Sequence, residues 1–171
     1  MKVKIPLMIQ DPRMSKVEGM DKLIEGFVPV EEFFLDGPVS ERIAILDFSP
    51  ETGELLPGVR FKPPSPKRRL GQYVGSSSKK NLCKAEGDDL YSPEFMQVSV
   101  FATVLKTMYM FEGRKNEDTL GRPLTWAFNA PQLLVVPRAG EWANALYQRA
   151  SHSLQFFYFP SKKDPKKYVY T

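Results

Sequence analysis

The stretch Asn144–Pro160, NALYQRASHSLQFFYFP, decides how the rest of the chain is read. Two apolar runs flank the polar residues Arg149–His152, a connection of hairpin length. Residues 143–148 and 153–159 are therefore expected to pair as antiparallel strands. The second run places aromatics at Phe156, Phe157, Tyr158 and Phe159. Strand side chains alternate, so Leu154, Phe156 and Tyr158 share one face while Phe157 and Phe159 take the other. Both faces need cover.

Cover for one face lies upstream, in SPEFMQVSVFATVLKTMYMFEG (92–113). Ser92 suits an N-cap, Pro93 the first helical position and Glu94 the positive end of the helix dipole. Phe95, Val98, Phe101, Leu105, Met108 and Glu112 trace one stripe, widened by Val100, Val104 and Phe111. The spacing predicts a helix over about 93–112, covered on most sides and ended by Gly113. After the polar loop EGRKNEDTLG (112–121), strands are expected at LTWAF (124–128), QLLVVP (132–137) and KYVYT (167–171).

Farther upstream, Arg42–Phe48 alternates, with Ile43, Ile45 and Asp47 on one side and Ala44, Leu46 and Phe48 on the other. SPETGE (49–54) supplies turn residues and LLPGVRF (55–61) a return, which predicts a β-hairpin with a longer loop. Residues 1–35 show no clean period and read as an arm or short strands. The expected organisation is a β-rich region over 1–85, with a basic Pro/Ser/Gly linker at about 62–84, then a helix-plus-sheet lobe over 86–171. The expected fold class is α+β, a twisted and mostly antiparallel sheet with one long helix packed on it.

At 171 residues the chain can bury a substantial core. Its 42% hydrophobic and 26% charged content is ordinary for a globular protein, while fifteen prolines favour strands and turns over a helical bundle. No apolar run reaches the roughly 20 residues that span a bilayer, and the N-terminus lacks a signal-peptide pattern, so a cytoplasmic protein without a membrane partner is expected. One cysteine, Cys83, gives no disulfide framework. Lys62, Lys67, Arg68, Arg69, Lys79, Lys80 and Lys84 form a basic block without an acid. Such a block can dock an acidic partner, or it can be a solvated mobile loop. Only Phe61 and Tyr73 interleave with it, which argues against nucleic acid.

Catalytic patterns are nearly absent. The single histidine, His152, cannot form a two-histidine metal site, and there is no phosphate-binding glycine loop, paired-cysteine motif or nucleophile elbow. A thiol-based site at Cys83 has no histidine near it in sequence.

QLLVVPRAGEWANALYQRASHSLQFFYFP (132–160) resembles the N-terminal lobe of thermolysin-like zinc metallopeptidases, the gluzincin group. NALY (Asn144, Ala145, Leu146, Tyr147) stands where that family carries Asn-Ala-x-aromatic, and the helix at 93–112 takes the place of the family's preceding long helix. The likeness covers roughly 90–171; residues 1–85 match only as a β-rich region. In the family a His-Glu-x-x-His helix and a further glutamate follow; this chain ends at KKYVYT without them.

The resemblance implies a non-catalytic lobe, as a fragment or truncated form, that supplies the peptide-binding edge strand of a cleft. Asn144, Ala145 and Tyr147 are the implied substrate-binding residues; no catalytic residue and no metal ligand is implied in this chain. Zinc is expected only in a full-length protein, and the chain alone is expected to bind none and hydrolyse nothing. An exposed edge there would accept a peptide or protein substrate by strand addition, and could pair with a second copy of the chain. The Asn144 amide can both donate and accept, and Ala145 is small enough for close approach. Asn144 could equally hold a turn after RAGEWA (138–143). The alternative is a small β-rich interaction module that docks an acidic partner through residues 62–84.

Overall fold

The computed structural model describes residues 33–113 and 120–171, together with the backbone of two N-terminal strands. Those are β1 (Val3–Leu7) and β2 (Ile24–Val28), which pair antiparallel. The rest of residues 1–32, most of the expected arm, and residues 114–119 of the polar loop lie outside the described residues.

Helix α1 (Pro93–Glu112) forms where the sequence places it. Ser92 Oγ accepts from the Phe95 N–H at 3.1 Å, and Pro93 starts the first turn. Gly113 stops the helix with a φ of 46°, in the left-handed region that glycine enters without steric cost. Phe95, Val98, Phe101, Leu105 and Met108 are buried, each side chain contributing roughly 1.5–3 kcal/mol over an exposed position. Glu112, the polar end of the stripe, is ion-paired with Arg42 and accepts from the Leu124 N–H at 2.7 Å. The last turn is thereby tied to two other parts of the chain.

The central sheet has the order β3–β6–β8–β7. Its strands are β3 (Ile43–Ile45), β6 (Leu133–Val136), β7 (Ala145–Gln148) and β8 (Ser153–Phe156). The architecture is α+β, but this sheet is mixed rather than mostly antiparallel. β3 pairs parallel to β6 and β6 parallel to β8, while β7 pairs antiparallel to β8. The long connection that carries α1 returns the chain in the same direction as β3, and the β7–β8 hairpin adds the reversed strand outside.

Ile43, Ile45, Leu133 and Val135 join Val98, Phe101 and Leu105 in one core, with Leu154 and Phe156 packed at its margin. The alternation read at 42–48 is correct: Ile43, Ile45 and Asp47 are the buried side. The expected hairpin with 55–61 shrinks to a Phe48–Leu55 bridge and a Leu56 N–H to Asp47 carbonyl bond. Burial explains this, because the isoleucine face needs α1 above it and β6 beside it. No strand forms at 124–128 either. Trp126 anchors that segment through its side chain, Nε1 donating to the Arg42 carbonyl at 2.8 Å, and a 3-10 turn follows at Ala127–Asn129.

β4 (Arg60–Lys62) and β5 (Gln72–Val74) make a small antiparallel sheet. The expected linker is thus corrected for much of its length. Tyr73, Val74 and Leu82 are buried, and Tyr73 packs edge-on against Phe101 at 5.8 Å. Residues 62–67 are exposed throughout, and they keep the linker character. The polar residues around Tyr73 hid a core position that a composition reading cannot see. Gly75 lets the Ser78 hydroxyl and a Glu94 carboxylate come close, since a Cβ there would lie 2.4 and 2.5 Å from their oxygens and would make both side chains shift. That carboxylate accepts from the Ser76 N–H and hydroxyl, at 2.7 and 2.8 Å. One core therefore crosses the boundary expected at 85/86.

Beyond the ends of β3 and β6, Asp47 and Arg138 form a buried two-point ion pair, with Arg138 Nε donating to Asp47 Oδ1 at 2.9 Å. β9 (Tyr158–Pro160) continues the line of β8 after a break at Phe157, and pairs antiparallel with β10 (Tyr168–Tyr170).

Candidate functional site

The sequence-predicted residues Asn144, Ala145 and Tyr147 lie at the start of, and along, edge strand β7. Its register with β8 sets Ala145 opposite Phe156, Leu146 opposite Gln155 and Tyr147 opposite Leu154. Phe156 turns its carbonyl away from β7, accepting from the Ala139 N–H at 2.8 Å. Ala145 and Phe156 are therefore a pair without mutual backbone bonds, and by strand alternation so are Tyr147 and Leu154. The backbone groups of Ala145 and Tyr147 consequently point outward from the sheet.

One outward group is already engaged. The Ala145 N–H donates to Asn144 Oδ1 at 2.8 Å. The Ala145 carbonyl and the Tyr147 N–H and carbonyl have no partner among the described residues. Asn144 itself is exposed, with its Nδ2 left as a donor. Its backbone carbonyl accepts from the Thr171 hydroxyl at 2.9 Å, and Thr171 Oγ1 in turn accepts from the Phe157 N–H at 2.9 Å. A single side chain thus bridges the two strands where their ladder opens. Nothing in the sequence pattern pointed to Thr171.

Beyond the other end of β7, Tyr147 Oη meets His152 Nδ1 at 3.0 Å. His152 occupies the predicted turn in a left-handed conformation, with φ 48° and ψ 45°. Its ring lies 5.9 Å from that of Phe128, and the Arg149 guanidinium carbon lies 4.7 Å from the Phe128 centroid. Phe128, Gln148, Arg149, Ala150 and His152 line a shallow, open depression. Phe128 and Asn129 both carry positive φ, 58° and 53°, in a region that costs a residue with a side chain about 1–2 kcal/mol. Sequence reading took Phe128 as a strand residue and missed this cluster; Pro123 and Pro131 on either side were the available signal.

The aromatic run of β8 and β9 divides, though Tyr158, expected on the face of Leu154 and Phe156, meets the β10 tyrosines. Leu154 and Phe156 pack on the core, whereas Phe157 meets Trp142 edge-on at 5.3 Å. Tyr158 packs against Tyr168 at 4.9 Å.

Cys83 is half-buried, and burial pushes its thiol pKa up, away from the thiolate a nucleophile requires, with a hydrogen bond to Tyr73 acting weakly the other way. Among the described residues there is no group of three or more His, Cys, Asp or Glu able to hold a metal ion. The basic block is partly spoken for: Lys80 pairs with Asp89 at 2.7 Å, and Arg68 turns back to the Leu70 and Pro63 carbonyls. Among the described residues no helix is long and apolar enough to cross a membrane. Comparison with protein-family models, curated proteins and solved structures returns no match.

Proposed function

We propose that this chain is the non-catalytic, peptide-binding lobe of a thermolysin-like zinc metallopeptidase. The carrying observation is the open β7 edge, whose unpartnered carbonyl at Ala145 and N–H and carbonyl at Tyr147 fall within the Asn-Ala-x-aromatic sequence. A peptide laid along β7 would pair with those three groups, and Asn144 Nδ2 would supply a fourth contact. Main-chain pairing provides affinity without reading sequence, as suits a lobe that holds varied peptides. The zinc that the resemblance implies has no ligand set among the described residues, so no step of hydrolysis is assigned to this chain.

Titrating the isotopically labelled 171-residue chain with a short extended peptide tests the reading. Amide shifts concentrated at 144–148 and along β8 are expected. Shifts confined to residues 62–84, obtained with an acidic peptide, would replace this reading with the docking module. That second reading draws on the exposed Lys62 and Lys67.

A further inference from the structure

We propose that Phe128, Arg149 and His152 form a subsite for a carboxylate carried by a peptide lying along β7, an assignment that rests on the strand-addition reading for the peptide's path. Arg149 is exposed and makes no ion pair among the described residues; its guanidinium lies over the face of Phe128. A guanidinium stacked on an aromatic ring keeps its planar fork of donors free at its edge, the geometry that matches a carboxylate at two points. Phe128 is 67% exposed and held there at a positive φ of 58°. An exposed ring in a strained backbone gains little for the fold, and strain of this kind collects where a surface is built to be used.

His152 adds the second donor. In the tautomer in which Tyr147 donates to Nδ1, Nε2 carries the ring proton and has no protein acceptor among the described residues. Tyr147 thus links the edge strand and the subsite, its backbone serving the first and its hydroxyl the second. The spacing agrees. Arg149 stands two residues after Tyr147, as the first residue of the 3-10 turn that follows β7 directly. A peptide residue two beyond the one beside Tyr147 travels about 7 Å, at roughly 3.4 Å per residue, and so reaches the end of β7, where Arg149 opens the turn.

The carboxylate could belong to an acidic side chain or to a peptide C-terminus, and the test separates them. Fluorescein-labelled extended hexapeptides are compared by anisotropy on the full chain: one neutral with an amidated end, one with glutamate at the fifth position and an amidated end, and one neutral with a free end. At least one acid-bearing peptide should bind about tenfold tighter than the neutral amide, the scale of one charge-assisted contact. Arg149→Gln should erase that difference while leaving the neutral peptide's affinity unchanged. Equal binding of all three peptides, or equal loss for all three in Arg149→Gln, would overturn the subsite. If no peptide binds, the strand-addition reading fails, and N-acetylglutamate amide then decides the subsite alone. Shifts of the Phe128 and His152 ring resonances that vanish in Arg149→Gln would sustain it; their absence would end it.

Discussion

The two edges of the central sheet are closed to different degrees. On β3, two of the four outward backbone groups of Ile43 and Ile45 are taken by the chain's own turn: the Ser40 N–H donates to the Ile43 carbonyl at 2.8 Å, and the Ile45 N–H donates to the Pro38 carbonyl at 3.1 Å. On β7, three of the four outward groups of Ala145 and Tyr147 have no partner among the described residues. The β3 edge is also the buried one, with Ile43 fully inside, whereas Tyr147 is 49% exposed. An unpaired group costs little while water reaches it and far more once it is buried. Closure thus goes further at β3, where water is scarcer, and is optional at β7. An optional opening, without a lysine or proline to guard it, is the feature that invites another strand.

Proline exposes this contrast most strongly. Ile45→Pro removes the N–H that meets Pro38 and empties a core position, so a loss of about 5 kcal/mol, or failure to fold, is expected in urea denaturation. Tyr147→Pro removes an N–H that points to solvent, which edge strands tolerate. It should cost about 1 kcal/mol yet abolish peptide binding and any edge-to-edge self-association. Comparable destabilisation by the two substitutions would show that the edges are equivalent. The next effect is at Asp47 and Arg138, which lock the ends of β3 and β6. Arg138→Met leaves a buried carboxylate unpaired and should cost about 3–5 kcal/mol, while Asp47→Leu combined with Arg138→Met should recover most of it. A double variant as weak as the single would mean that the pair acts otherwise than as mutual compensation.

Local signals made some of this legible in the sequence. Ser92, Pro93 and Gly113 punctuate α1, and the residues of 149–152 announce the β7–β8 hairpin, because capping and turn chemistry are written in adjacent residues. The parallel pairing of β3 with β6 was not legible, since residues about 90 positions apart in the chain leave no local trace of their register. Tyr73 was lost among lysines and serines for the opposite reason: its burial is decided by Phe101, not by its neighbours. At the candidate site, Asn144, Ala145 and Tyr147 were named from the resemblance. The Phe128 cluster and Thr171 were missed because each acts through space, across the sheet, on residues that looked complete by themselves.

The open end of β7 carries strain that the closed edge lacks. Phe128→Gly should relieve the left-handed backbone and raise stability by about 1 kcal/mol, readable as a shift of a few degrees in Tm. The same change removes the ring beneath Arg149 and should weaken acid-bearing peptides selectively. A loss of stability instead would show that the ring's packing on His152 outweighs its backbone cost, and that the position is structural.

The smallest expected effect lies at Asn144, and it is the one that separates guarding an edge from using it. Asn144 Oδ1 caps the Ala145 N–H, while Nδ2 remains to donate to an added strand. Asn144→Ala loses both functions. The cap is exposed, so stability should fall by only about 0.5 kcal/mol, with Tm lowered by 1–2 °C or so. Peptide affinity should fall about two- to tenfold if the amide contacts the peptide. Uncapping also frees an outward N–H, so the alanine variant should self-associate more readily than the parent in sedimentation. Asn144→Asp divides the two roles, because a carboxylate still accepts from the Ala145 N–H but has no hydrogen to donate. If Asn144 grips the peptide, the aspartate variant binds as weakly as the alanine variant while staying monomeric. Parent-like peptide affinity in Asn144→Asp would reduce Asn144 to a cap, leaving the backbone of Ala145 and Tyr147 as the whole of the peptide contact at this end of the strand.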